Sequence, residues 1–142
     1  KHAHHAFDID RPGKDSYELR EAGATEVLIV SAARFALMHE LRGAAEPRLS
    51  DLLARLSPVD LVLVEGFRGA ELRKIEVHRA ANGKPALHPD DRQVVAIASD
   101  TAFPAAGRPV VDLDDIGAIA DLVLAHAEPV AALVGRLPEA ES

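Results

Sequence analysis

The sequence predicts a single α/β domain over residues 1–142, built on a mostly parallel sheet, and two patterns carry that prediction. Four apolar runs, at 27–30, 61–64, 94–98 and 110–111, do not alternate with polar residues, and three are rich in β-branched side chains. Strands buried on both faces of a parallel sheet read in this way. Between and after the runs lie segments with the i, i+3, i+4, i+7 spacing of amphipathic helices. With 142 residues, 48% hydrophobic and 27% charged, the chain has the balance of a globular protein able to bury a core.

The elements follow in order. A helix is expected over 15–22, where Asp15 and Glu18 are spaced as a capping box and Gly23 supplies the stop. After the run at 27–30, residues 34–41 (RFALMHEL) alternate like an edge or antiparallel strand. Leu49, Leu52, Leu53 and Leu56 mark a second helix, with Pro47 near its start and Ser57-Pro58 beyond its end. The run at 61–64 ends in Glu65-Gly66, and residues 74–79 (KIEVHR) again alternate, followed by the turn signal Asn82-Gly83. Past the runs at 94–98 and 110–111, Ile116, Ile119, Ala120 and Val123 predict a helix capped by Asp112 or Asp114. Val130, Leu133, Val134 and Leu137 predict a last helix after Pro129, ahead of a short acidic tail.

Composition removes several function classes. A net charge of −7 argues against a nucleic-acid partner, because neutralising phosphates needs a basic face. Aromatic residues are only 4%, too few for a base-stacking platform. A single nucleotide needs less: backbone N–H groups, a cation and one or two basic side chains. No apolar run approaches the roughly 20 residues that span a bilayer, and no leader pattern directs export. The absence of cysteine excludes disulfides, thiolate metal sites and cysteine nucleophiles. Together these predict a cytoplasmic protein without a membrane partner. The chain starts at Lys1 without methionine, as expected of a fragment, a trimmed chain or an incomplete reading of the gene.

Ligands of open α/β sheets bind outside the carboxyl ends of the parallel strands, so the residue ending each run is the place to look. The runs end in Ser31, Glu65-Gly66, Ser99-Asp100 and Asp112. Ser31 and Asp112 are the small polar residues that turns and caps require. Glu65 directly follows four aliphatic residues, where a desolvated carboxylate needs a cation or a donor. It therefore reads either as a structural ion pair or as the acid that holds magnesium or positions an attacking water. Gly66 permits close approach of the backbone to a ligand. Asp100 reads either as a turn residue or as an acceptor for the adjacent N1–H and N2–H donors of guanine.

The opening KHAHHAFDIDRPGKDS supports three readings. His2 and His4 share a strand face and could pair on a metal, and a purification tag is the second reading. In the third, Lys1, His2, Arg11 and Lys14 face phosphates while Asp10 or Asp15 touches magnesium. Gly13-Lys14-Asp15-Ser16 is not a phosphate-binding P-loop: Asp8 stands where the first glycine belongs, and Asp15 where Ser or Thr must follow the lysine. His39 and His78 sit in alternating segments and read as surface or packing residues.

Taken in order, KHAHHAFDIDRPGKDSYELREAGA, RFALMHEL, DLVLVEGFRGAELRKIEVHR and VVAIASD resemble the motif series of the MobB family, from Lys1 to Asp100. The resemblance implies a three-layer, mostly parallel sheet of P-loop NTPase type with antiparallel additions. It implies binding of GTP with Mg2+, slow hydrolysis at most, homodimerisation, and assistance to the guanylyltransferase that attaches GMP to molybdopterin. By the same resemblance Glu65 is the catalytic and metal-associated acid at the Walker B position. Lys1, His2, Lys14, Arg20, Gly66, Ser99 and Asp100 are nucleotide-binding residues, with Asp10 and Asp15 near the metal. The segments 34–41 and 74–79 are candidates for the dimer contact. In the family a first strand, glycine-rich loop and helix precede the point where this chain begins, so the sequence as written is expected to bind nucleotide feebly. A dimeric docking module that does not depend on nucleotide is the alternative of a different class, and a histidine metallochaperone using His2, His4 and His5 is the third.

Overall fold

The computed structural model describes residues 1–3 and 7–136. His4, His5, Leu137 and the acidic tail, on which parts of the sequence reading fall, lie outside the described residues. The chain divides into two compact units, one of Lys1–Arg48 with Val64–Phe67 and one of Leu49–Leu63 with Arg68–Ser142.

The first unit holds α1 (Asp15–Glu21), β1 (Glu26–Val30) and β2 (Phe35–His39). The helix begins one residue earlier than a capping box led by Asp15 requires. Lys14 is the N-cap and makes no side-chain capping bond, while Asp15 lies inside the first turn. There its charge favours the helix dipole instead of capping an amide. The helix stops as expected: Gly23 takes φ +107 and its N–H donates to the Arg20 carbonyl. Arg42, itself at φ 46, donates through Nη2 to the carbonyls of Arg20 and Ala24 and so holds the chain leaving the helix.

The run at 27–30 is not a strand of a parallel sheet. β1 pairs antiparallel with β2, Val27 opposite Met38 and Val30 opposite Phe35. The cause is the turn between them. Ser31 Oγ accepts from the N–H groups of Ala33 and Arg34 and donates to the Arg34 carbonyl, which closes a tight hairpin. Only one face of the hairpin is covered. Val27 and Met38 are buried, whereas Leu28, Val30, Phe35 and Leu37 form an exposed apolar face on the other side.

The second unit is organised on β3 (Lys74–His78), β4 (Val94–Ser99) and β5 (Val110–Asp112), in the order β3-β4-β5 with all pairs parallel. β4 is the centre, and Val94, Ala96, Ile97 and Ala98 are enclosed. The alternating segment 74–79 is thus a parallel strand and not an antiparallel addition. Its alternation also runs opposite to the expected sense: Glu76 is buried and Val77 exposed. A buried carboxylate is tolerable here because three donors converge on it, as set out below. The connection to β4 turns through a short 3-10 helix, Ala80–Asn82, closed by Gly83 at φ 61. That is the turn Asn82-Gly83 announces.

Residues 61–64 form no strand. Helix α2 (Leu49–Leu53) buries Leu49 and Leu53 and continues as a turn to Leu56. It packs against α4 (Val130–Val134), which Pro129 initiates. Helix α3 (Ile116–His126) lies on β4 and β5. Its N-cap is Asp115, whose side chain accepts from the Ala118 N–H at 2.9 Å. Asp112, one of the two expected caps, instead accepts from the Asp114 N–H and shapes the turn before it.

Candidate functional site

Candidate residues gather in three places. In the first unit, Glu65, Gly66 and Phe67 make a left-handed corner, with Gly66 at φ 83 and Phe67 at φ 50. A bulky residue held there is strained, by about 1–3 kcal/mol, and persists only where the surroundings hold it. What holds it is the opening of the chain. The His2 N–H donates to the Glu65 carbonyl at 2.7 Å, the His2 and Phe67 rings lie 5.0 Å apart, and Lys1 Nζ meets Glu65 Oε1 at 2.7 Å. His2 Nε2 also sits 2.8 Å from Glu46 Oε1. Glu65 is therefore exposed and ion-paired, not desolvated, and Lys1 holds its carboxyl below the usual range by hydrogen bond and charge. The close approach that Gly66 permits is to His2: a Cβ on Gly66 would stand 2.6 Å from the His2 Cβ and 3.2 Å from its carbonyl oxygen. Gly66→Ala is expected to destabilise this corner by about 1–3 kcal/mol and to part Lys1 from Glu65. NMR titration should then find the Glu65 carboxyl back near its ordinary value.

The second place is centred on Arg20, projecting from α1. Its guanidinium meets Asp8 Oδ2 at 2.9 Å and Glu40 Oε1 at 3.1 Å, and it lies 5.2 Å from the centre of the Tyr17 ring. Asp10 stands beside it, with Oδ2 at 3.6 Å from Arg20 Nε. Asp10 Oδ1 accepts from Ser16 Oγ and from the Arg11 N–H. Asp8 is held below the usual carboxylate range, first by the Asp10 N–H and then by Arg20. Lys14, Asp15 and Ser16 border a surface groove that Leu19, Leu28, Ile29 and Val30 complete.

These residues do not fit a resident magnesium ion. The buried Asp10 Oδ2 has no hydrogen-bond partner among the described residues, but it faces the Arg20 guanidinium, which repels a cation. Among the described residues no three His, Asp or Glu side chains are placed to hold a metal.

The third place is the carboxyl end of the second unit's sheet. Ser99 is buried at the end of β4, and its Oγ accepts from the Thr101 N–H. Asp100 Oδ1 accepts from the Ala80 N–H at 2.8 Å, tying the exits of β3 and β4 together. Both its readings survive: it is a turn residue, and it is an exposed carboxylate where parallel sheets receive ligands.

Sequence reasoning missed the polar cluster behind this corner. Glu76 accepts from the N–H groups of Leu87 and His88 at 2.6 and 2.9 Å and from His88 Nδ1 at 3.1 Å. Burial pushes the Glu76 carboxyl upward, and the three hydrogen bonds outweigh it, leaving the group below the usual range. The ring of Phe103 stands edge-to-face with both His88 and His78, at 4.9 and 5.0 Å. The available signal was the lone acidic residue inside KIEVHR, Glu76.

A mixed α/β chain with a three-stranded parallel sheet, a small antiparallel sheet and polar residues at the strand ends is compatible with the P-loop-like class of nucleotide-binding folds. The sequence profile of molybdopterin guanine dinucleotide synthesis protein B, MobB, matches residues 1–100. The chain is 42% identical over 127 residues to the molybdopterin-guanine dinucleotide biosynthesis adapter protein of Escherichia coli K12, across 87% of this chain and 72% of that one. The adapter protein of the same description from Haemophilus influenzae is 38% identical over 126 residues, covering 87% of this chain and 68% of its own. The chain belongs to the MobB family. All the candidate residues, from Lys1 to Asp100, fall within the matched stretch. Among the described residues no helix is long and apolar enough to cross a membrane.

Proposed function

We propose that this chain is an adapter in molybdopterin guanine dinucleotide biosynthesis that binds GTP, with at most slow hydrolysis. The observation that carries the reading is the family match, which runs through every candidate nucleotide-binding residue. Asp100 supports the guanine preference, as an exposed carboxylate beyond the carboxyl end of β4. Lys1 and Lys14 supply positive charge near the phosphates and His2 a ring nitrogen, with Arg20 held in its ion pairs. Magnesium would arrive on the phosphates, since the side chains present do not retain it alone. A guanylyltransferase acting on molybdopterin is the partner this role requires, and the cytoplasm its setting.

The exposed apolar face of Leu28, Val30, Phe35 and Leu37 favours a second reading. A patch of this kind marks a protein contact, here a homodimer or a docking surface for a cofactor-handling enzyme that does not depend on nucleotide. The internal ion pairs of Glu65 and Arg20 support it too, because both side chains already have partners.

A titration with fluorescent GTP in magnesium, competed by unlabelled GTP and ATP, separates the two. It is run on this chain and on the product extended by any residues its gene encodes before Lys1. GTP is expected to compete at least about ten-fold better than ATP. Equal competition, or no binding by either form, sinks the GTP reading and leaves the docking module.

A further inference from the structure

We infer that Phe103, held between the rings of His78 and His88, sets the position of Asp100 and with it the selectivity of this corner for guanine. The inference rests on the guanine-binding reading above and names the residues that would give that site its precision.

A carboxylate that reads two adjacent N–H donors must lie in their plane, within about 10–20°. One hydrogen bond does not hold it so, and among the described residues the bond to Asp100 is that from the Ala80 N–H. The rest of its support comes from the chain on either side. Before it, Ser99 is paired to His78 in the β3–β4 register, and Ser99 Oγ accepts the Thr101 N–H at 3.0 Å. Three residues after it, Phe103 turns back to the exit of β3. Its ring stands at 81° to His78 and at 77° to His88, both edge-to-face, with centroids 5.0 and 4.9 Å away. Such pairs hold orientation as well as area.

His88 is a fixed wall for that ring. Ionised Glu76 can only accept, so the His88 Nδ1 it meets at 3.1 Å carries the proton, which fixes tautomer and ring plane together. The backbone of the same residue is pinned by the same carboxylate. Support thus runs from a buried strand, through Glu76 and His88, to Phe103 and the turn that carries Asp100. Phe103 is half-buried, so loss of its ring should move the turn more than it lowers stability.

The test compares GTP with inosine triphosphate, which lacks only the 2-amino group, as competitors for labelled GTP. The form used is whichever binds in the titration above. The unaltered protein should favour GTP about ten-fold or more, the usual effect of one hydrogen bond to a charged acceptor. Phe103→Leu should bring that ratio to within about two-fold of unity while leaving inosine triphosphate binding within about two-fold. Phe103→Tyr, which keeps the ring, should restore the preference. His78→Leu, which removes the other side of the grip, should repeat the loss and decides the matter if Phe103→Leu does not fold. A ratio that survives both Leu variants overturns the inference, as does an equal weakening of both nucleotides. Asp100→Ala separates the two levels. If it abolishes the preference while Phe103→Leu keeps it, the inference alone fails; if it changes nothing, or nothing binds, the guanine reading fails and takes the inference with it.

Discussion

Glu76→Gln is expected to lower the stability of the second unit by about 1–3 kcal/mol and to change how it responds to acid. The carboxylate accepts three hydrogen bonds. A glutamine amide has one acceptor oxygen, so its NH2 group must face one of these donors in a site where water does not substitute. The pH dependence follows from the lowered carboxyl. A group whose folded pKa lies below its unfolded value stabilises fully above the unfolded value, near 4.3 for glutamate. That contribution fades as pH falls through the folded value. Urea titrations at neutral pH and at successive steps below 4.5 should therefore show the gap between native protein and Glu76→Gln closing as the solution becomes more acid. A gap that stays constant would mean that the three bonds contribute nothing specific to the ionised form.

Ile97→Ala should have the larger effect at neutral pH, about 2–5 kcal/mol. Ile97 is fully enclosed in the central strand, between β3 and β5 and beneath α3. Its neighbours belong to hydrogen-bonded strands that cannot collapse into the vacated volume, so a cavity remains. The urea midpoint should fall without a change in slope. A cost below about 1 kcal/mol would show that the sheet relaxes around the gap, contrary to the packing of β4.

Much of this architecture was legible in the sequence, and the reasons differ by element. The run at 94–98 is apolar without interruption and becomes the central parallel strand, because only burial on both faces needs such a run. The helix at 15–21 was legible through its acidic opening and its glycine stop, and that at 116–126 through its periodicity and the aspartates before it. The run at 27–30 misled because its composition is that of a buried strand, while its surroundings leave half of it in solvent. Nothing in the residues themselves shows which faces are covered. The run at 61–64 misled for another reason: a strand is made by a partner's backbone, and none of the described residues pairs with it.

The placement of candidate residues was legible at strand ends, and obscure where the fold brings distant residues together. Ser99 and Asp100 could be found from the run they terminate. The pairing of Glu65 with Lys1, and of Glu76 with His88, could not, since neither spacing carries a periodicity. Where the chain meets itself also decides the meaning of a charge. Glu65, expected at a desolvated sheet edge, is exposed and takes the ion pair that was one of its two readings, and the carboxylate that is buried is Glu76.

The order β3-β4-β5 also bears on how the molecule assembles. The hairpin joins Val30 to Phe35 through a four-residue turn and can close in roughly 1–10 μs. Every rung of the parallel sheet instead waits for remote segments to meet, Lys74 with Val94 and Ile97 with Val110. The entropy of those closures falls before any pairing compensates it, so the sheet is the slow event and β4, shared by both of its ladders, is the strand whose arrival commits it. A nascent chain therefore carries its hairpin, one apolar face outward, well before the centre of the larger unit exists.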